Sequence, residues 1–137
     1  MIAIDFFTGK IQWVPAKPGP IGPAGPGIDT ADIATTMDIP ALSLITVNGQ
    51  VANSANLAHF NRVVGIVMTT VLFGFIATAV VEGEVTDSSW TWTPSYKLFL
   101  NGTTLSATPP GSGFSQLIAI TRSAQTIFIR LQPPILL

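Results

Sequence analysis

The sequence predicts an all-β protein: a small antiparallel sandwich or barrel head, preceded by a collagen-like neck and an extended N-terminal arm, assembled as a homotrimer. Three observations carry this. Short runs rich in Val, Ile, Thr and aromatic residues recur between turn signals at Asn48-Gly49, Asn101-Gly102 and Pro109–Gly113, the rhythm of an all-β domain. Gly19, Gly22 and Gly25 keep a strict period of three, each followed by a proline, Pro20, Pro23 and Pro26; only glycine fits at the crowded axis of three polyproline II strands. Charged residues make up 9% of the 137 residues, against about 25% in ordinary soluble domains, and a surface so poor in charge favours association.

The elements follow in order. Residues 1–15 form an arm in which Phe6-Phe7, the turn-like Thr8-Gly9-Lys10 and Ile11-Gln12-Trp13 suggest a short hairpin. The neck separates this arm from the head, so Phe6, Phe7 and Trp13 are candidates for docking to a partner or packing within the trimer. The alternative is an arm folded back on its own head. Residues 16–40 are neck and linker. Three triplets at about 3.1 Å per residue span roughly 28 Å, too short to hold a trimer alone, so flanking domains must contribute. Ile21, Ala24 and Gly27 occupy the third positions, where hydroxyproline usually stabilises collagen, so no hydroxylation is implied. The other reading of the tract is a rigid linker in a monomer. Ile28–Pro40 carries Asp29, Asp32 and Asp38 without a base and reads as a polar linker with one helical turn capped by Asp29 or Thr30.

Residues 41–137 are the head. Leu42–Val47 leads into Asn48-Gly49, the strongest short hairpin signal, because both turn positions favour positive φ. The one helical segment is expected at Ser54–Phe60, capped by Asn53 or Ser54. Val63 to Val81 is uncharged over nineteen residues, close to the roughly 20 that a membrane-spanning helix needs. Its Val, Ile and Thr content, Gly65, Gly74 and the alternating Val81-Glu-Gly-Glu-Val85 instead predict two buried strands, Val63–Val71 and Phe75–Val85, turning near Gly74. Trp90-Thr-Trp92 alternates as a strand with both indoles on one face. Lys97–Leu100 and Thr103–Ser106 form a second hairpin across Asn101-Gly102, and Gln116–Thr121 and Thr126–Leu131 form a third across Arg122–Gln125. Pro133-Pro134 ends the last strand, leaving Ile135–Leu137 to pack against the sheet or a neighbour.

The residue inventory excludes several function classes. Six basic residues scattered along the chain make no phosphate-binding stripe, so no nucleic-acid partner is expected. Without cysteine there is neither a disulfide framework nor a thiolate metal site, and Asp29 and Asp32 lack EF-hand-like calcium spacing. No cofactor and no metal are expected. The N-terminus lacks the basic and apolar regions of a secretory signal, which points to synthesis in a cytoplasm. His59, the single histidine, has no Ser, Cys or Asp in a nucleophile arrangement and reads as structural. Glu82 and Glu84 share a strand face and read as a solvated pair rather than as an acid and base. No catalytic residue is assigned and the chain is not expected to be an enzyme. Trp90 and Trp92 either pack in the core or form a sugar-stacking platform, with Tyr96, Asn101 and Thr103 at a nearby loop tip as further ligand contacts. Asn101-Gly102-Thr103 also fits a glycosylation sequon, but the hairpin accounts for it.

The order Asn48-Gly-Gln-Val51, Ala58-His-Phe-Asn-Arg-Val-Val-Gly-Ile66, Glu82-Gly-Glu-Val85, Trp90-Thr-Trp92, Leu98-Phe-Leu-Asn-Gly102 and Ile127-Phe-Ile-Arg-Leu-Gln-Pro-Pro-Ile135 resembles a small β domain recurrent in virion proteins of tailed bacteriophages. The likeness covers roughly residues 41–137. In such proteins collagen-like Gly-Pro tracts commonly precede trimeric domains. The resemblance implies a non-enzymatic virion structural protein, made in the host cytoplasm and carried on the virion surface. It would be a fibre or head-decoration protein whose arm docks on capsid or tail proteins, without a membrane span. A carbohydrate-binding adhesion module, holding a host surface glycan at Trp90 and Trp92, is the alternative.

Overall fold

The computed structural model describes residues 28–137, together with two short strands of the arm, β1 (Ala3–Ile4) and β2 (Gln12–Trp13). These two pair antiparallel, with Ala3 opposite Trp13, as in the hairpin expected of the arm. The neck residues Gly19, Pro20, Gly22, Pro23, Gly25 and Pro26, the docking candidates Phe6 and Phe7, and the side chain of Trp13 lie outside the described residues.

The head is an antiparallel sheet curled nearly into a barrel. Along it run β4 (Ser43–Thr46), β5 (Val63–Val67), β6 (Ile76–Thr86), β11 (Thr126–Arg130), β10 (Leu117–Thr121), β7 (Lys97–Asn101) and β8 (Thr104–Ser106), with β3 (Asp29–Ala34) also paired to β6. The end strands β4 and β8 lie against each other. Ser54 ties the two ends: its N–H donates to Gly102 O (2.9 Å), its hydroxyl accepts from Gly102 N–H (2.8 Å), and its carbonyl accepts from Phe114 N–H (3.0 Å). A separate pair, β9 (Phe114–Ser115) and β12 (Ile135–Leu136), uses the chain end. The tail therefore pairs through its backbone while Ile135, Leu136 and Leu137 keep their side chains exposed.

Much of the uncharged Val63–Val81 run is explained by two cores on opposite faces of one sheet, although Phe75 and Ile76, expected in a buried strand, are exposed together with Leu72 and Phe73 at the β5–β6 turn. Leu44, Ile66 and Val80 face the main core with Leu98, Phe114, Ile127 and others, while their neighbours Ile45, Val67 and Ala79 face a smaller core with Ile39 and Ala77. A strand buried on both faces needs apolar residues at successive positions, so the polar alternation vanishes. Among the described residues no helix is long and apolar enough to cross a membrane. The turn falls where expected, with Gly74 at φ 89°.

Four expectations are corrected. Ile28–Pro40 is not a linker with a helical turn: Asp29–Ala34 is a strand paired antiparallel with β6, with Asp32 opposite Thr78 and Ala34 opposite Ile76. Trp90-Thr-Trp92 is not a strand but part of the irregular β6–β7 loop. The helical segment shrinks to one 3-10 turn, η1 (Leu57–His59), whose cap is Asn56 accepting from Ala58 N–H (3.0 Å); Asn53 Oδ1 instead accepts from Ala55 N–H and serves the approach to it. In both Asn-Gly hairpins only the glycine has positive φ, Gly49 at 79° and Gly102 at 62°.

Candidate functional site

Where the barrel ends meet, the wall stays open as a groove of about 490 Å³. Pro40 to Ser43 and Val51 line it from the β4 end, Thr103 to Leu105 from the β7–β8 turn and β8, and Trp90 and Trp92 from the β6–β7 loop. Leu42 enters β4 at φ 67°, a left-handed conformation uncommon for a bulky side chain, with its N–H held by Val67 O (2.7 Å). Non-glycine residues held at such angles concentrate at binding sites.

The loop that places the tryptophans is stitched down residue by residue. Asp87 opens it with an Asx turn, its carboxylate accepting from the hydroxyl and the N–H of Ser89. Those bonds, the hydroxyl's foremost, hold the Asp87 carboxyl below its ordinary range. Trp90 N–H then donates to Asp87 O (3.2 Å) and Trp92 N–H to Ala124 O (2.9 Å). Thr121 completes the anchoring, donating from its hydroxyl to Thr93 O (2.6 Å) and accepting from Tyr96 N–H (2.8 Å). Although not on a strand, the two indoles stand together, centroids 6.4 Å apart and tilted 49°.

The two differ in burial. Trp90 is 8% exposed and belongs to the main core; Trp92 is half-buried against it. The Trp92 Nε1–H is buried and has no acceptor among the described residues, an unusual state for a polar group out of water. Tyr96 and Asn101 do not line the groove: Tyr96 is largely exposed, and Asn101 donates from Nδ2 to Thr108 O (3.2 Å), bracing its own hairpin. Sequence reading missed the Pro40–Ser43 and Thr104–Leu105 walls, which no local motif marks.

His59 is buried and serves the backbone. Asn53 N–H donates to its Nδ1 (3.0 Å), which fixes the proton on Nε2, and Nε2–H donates to Gln50 Oε1 (3.2 Å). Burial lowers its pKa from the ordinary histidine value. The unfolded chain therefore takes up the proton more readily than the folded one. Stability from this group is complete above the unfolded pKa of about 6.5 and falls as pH drops below it, levelling off under the lower folded value. The expected result is a urea midpoint lower at pH 5 than at pH 7.5, with much of that difference removed in His59→Gln.

Glu82 and Glu84 are both exposed on one face of β6, opposite Arg130 and Phe128 of β11. A second, smaller hollow of about 210 Å³ lies on the outer face of β10 and β11 between Arg122, Phe128 and Arg130, where the Arg122 guanidinium sits 4.9 Å above the Phe128 ring. Among the described residues no three His, Cys, Asp or Glu side chains are grouped to hold a metal ion. Compared with known proteins, the chain matches no family model and no curated protein.

Proposed function

We propose that this chain is a non-enzymatic virion structural protein of a tailed bacteriophage: a trimeric fibre or decoration protein. Its N-terminal arm anchors it to capsid or tail, and its β head projects from the virion surface. The observation that carries the reading is the strict glycine period at 19, 22 and 25 directly ahead of an all-β head. A triple-helical neck requires three parallel chains, and a chain with 9% charged residues has a surface suited to being covered by its own copies. The mechanism is assembly: Phe6, Phe7 and Trp13 of three arms dock on a symmetric particle, and the neck sets the heads at a distance from it. Light scattering on the full chain in detergent-free buffer should give three times 14.4 kDa. A monomer mass overturns the reading.

A glycan-binding head is the second reading, favoured by the adjacent Trp90 and Trp92 rings in the lining of an open groove. It requires glycan binding that Trp92→Ala abolishes at unchanged mass.

A further inference from the structure

We propose that the uncharged end of the head, built from Met37, Leu72, Phe73, Phe75 and Ile76, is where three copies of this chain meet. The proposal rests on the trimeric reading above and names the surface that reading leaves open.

These five side chains are 42%, 57%, 65%, 66% and 59% exposed. They sit on or beside the β5–β6 turn, and that turn is held rigid from beneath. The Thr35 hydroxyl bonds to the carbonyls of Leu72 (3.1 Å) and Phe75 (2.8 Å), Phe75 N–H donates to Leu72 O (3.1 Å), Thr35 N–H donates to Phe75 O (3.1 Å) and Phe73 N–H donates to Asp38 Oδ1 (2.8 Å). Much of the turn's backbone is thus satisfied without water, which lowers the cost of covering it. A turn already fixed also loses little conformational freedom when a partner arrives.

Symmetry selects the occupant. Near a threefold axis each copy meets the same residues of the others at the same height, so a charged surface there would face its own sign. The outer surface of β3, β6, β11, β10 and β7 carries formal charge along its length, with Glu82 and Glu84 beside Arg130 and Phe128 and with Asp29, Asp32, Lys97 and Arg122 around them, so copies meeting there would have to stay in a register that keeps like charges apart. At the tip the nearest formal charge is Asp38, whose carboxylate is engaged by Phe73 N–H. Chain direction agrees. β3 starts at Asp29, two residues past the neck, and ends at Ala34 opposite Ile76, so six residues at about 3.3 Å each carry the chain roughly 20 Å from neck to tip. Three chains leaving one neck side by side reach this apolar end as their next place to meet.

The exposed area is on the order of 500 Å² per copy, within the about 300–600 Å² of the largest and often functional patch on a monomer and below the about 800 Å² per partner of a stable interface. The tip therefore supplements the neck rather than replacing it.

The chain has no cysteine, so Leu72→Cys puts a single thiol at the tip of the full-length protein. A bismaleimide should link copies with a yield that does not fall on dilution, while Ser88→Cys, beyond the opposite end of β6, should give little product. The double variant Phe73→Ser, Phe75→Ser should keep its β circular dichroism and shift the concentration for dissociation at least tenfold upward. A trimeric Leu72→Cys protein whose introduced thiol stays uncross-linked and reacts at the rate of a free thiol, with the serine variant undiminished in mass, overturns the proposal and turns the tip towards an outside partner, leaving the trimer itself intact. A monomeric wild type overturns both.

Discussion

Phe114→Ala is expected to destabilise the head by about 3–5 kcal/mol, the range for deleting a fully buried aromatic ring. Phe114 is among the largest side chains with no exposure at all, and it meets Phe60 edge to face, centroids 5.7 Å apart and planes at 87°. Its backbone is pinned on both sides, by Ser54 O to its N–H and by Leu136 across the β9–β12 pair. The walls of the resulting void therefore have little freedom to collapse, and a cavity that cannot collapse sets the cost at the upper end of the range. Against a total stability of about 5–15 kcal/mol such a loss is a large fraction. Urea unfolding at fixed protein concentration measures it, since self-association would otherwise shift the midpoint. A loss under about 1 kcal/mol would mean that the ring is not the keystone of the main core. Tyr96→Ala, an exposed ring removed away from the β5–β6 turn, serves as the matched control.

How much of this was legible beforehand depends on whether the signal was local. The pair β5 and β6 was readable because β-branched residues and Gly74 mark strand and turn within a few positions of each other. The strand β3 was hidden by its own polarity: Asp29, Thr30 and Asp32 are exposed while Ala31 and Ile33 turn half inward, an alternation too short and too acidic to stand out beside the proline tract. The proximity of Trp90 and Trp92 was foreseen for the wrong reason. They come together because Asp87, Ala124 and Thr121 hold a loop, not because a strand alternates. The groove was not legible at all, since its walls come from residues 40–43, 51, 90–92 and 103–105, which only closure of the sheet brings together.

Close packing of the β4 hairpin on the segment after β3 is what gives Gly49 its weight, and Gly49→Ala is expected to cost about 2–5 kcal/mol. The left-handed conformation at φ 79° accounts for about 1–2 kcal/mol. The rest, about 1–3 kcal/mol, is overpacking: a Cβ built there would lie 2.1 Å from Ala34 O and 2.9 Å from both Thr35 Cα and Thr36 N, all backbone and none able to rotate away. Gly102→Ala separates the two contributions. Its φ of 62° is similar, but a Cβ there meets nothing within 4 Å, so it should show only the conformational part. Equal losses in the two variants would mean that the hairpin tip does not press on the segment after β3. If the difference is found, its consequence reaches the tip of the head. Thr36 N–H donates to Gly49 O (3.0 Å) and its hydroxyl to Asn48 O (2.9 Å), and the adjoining Thr35 is the residue that holds Leu72 and Phe75. A methyl group at position 49 pushes this segment away from the hairpin, so Gly49→Ala should weaken association of the copies more than Phe114→Ala does at equal loss of fold stability.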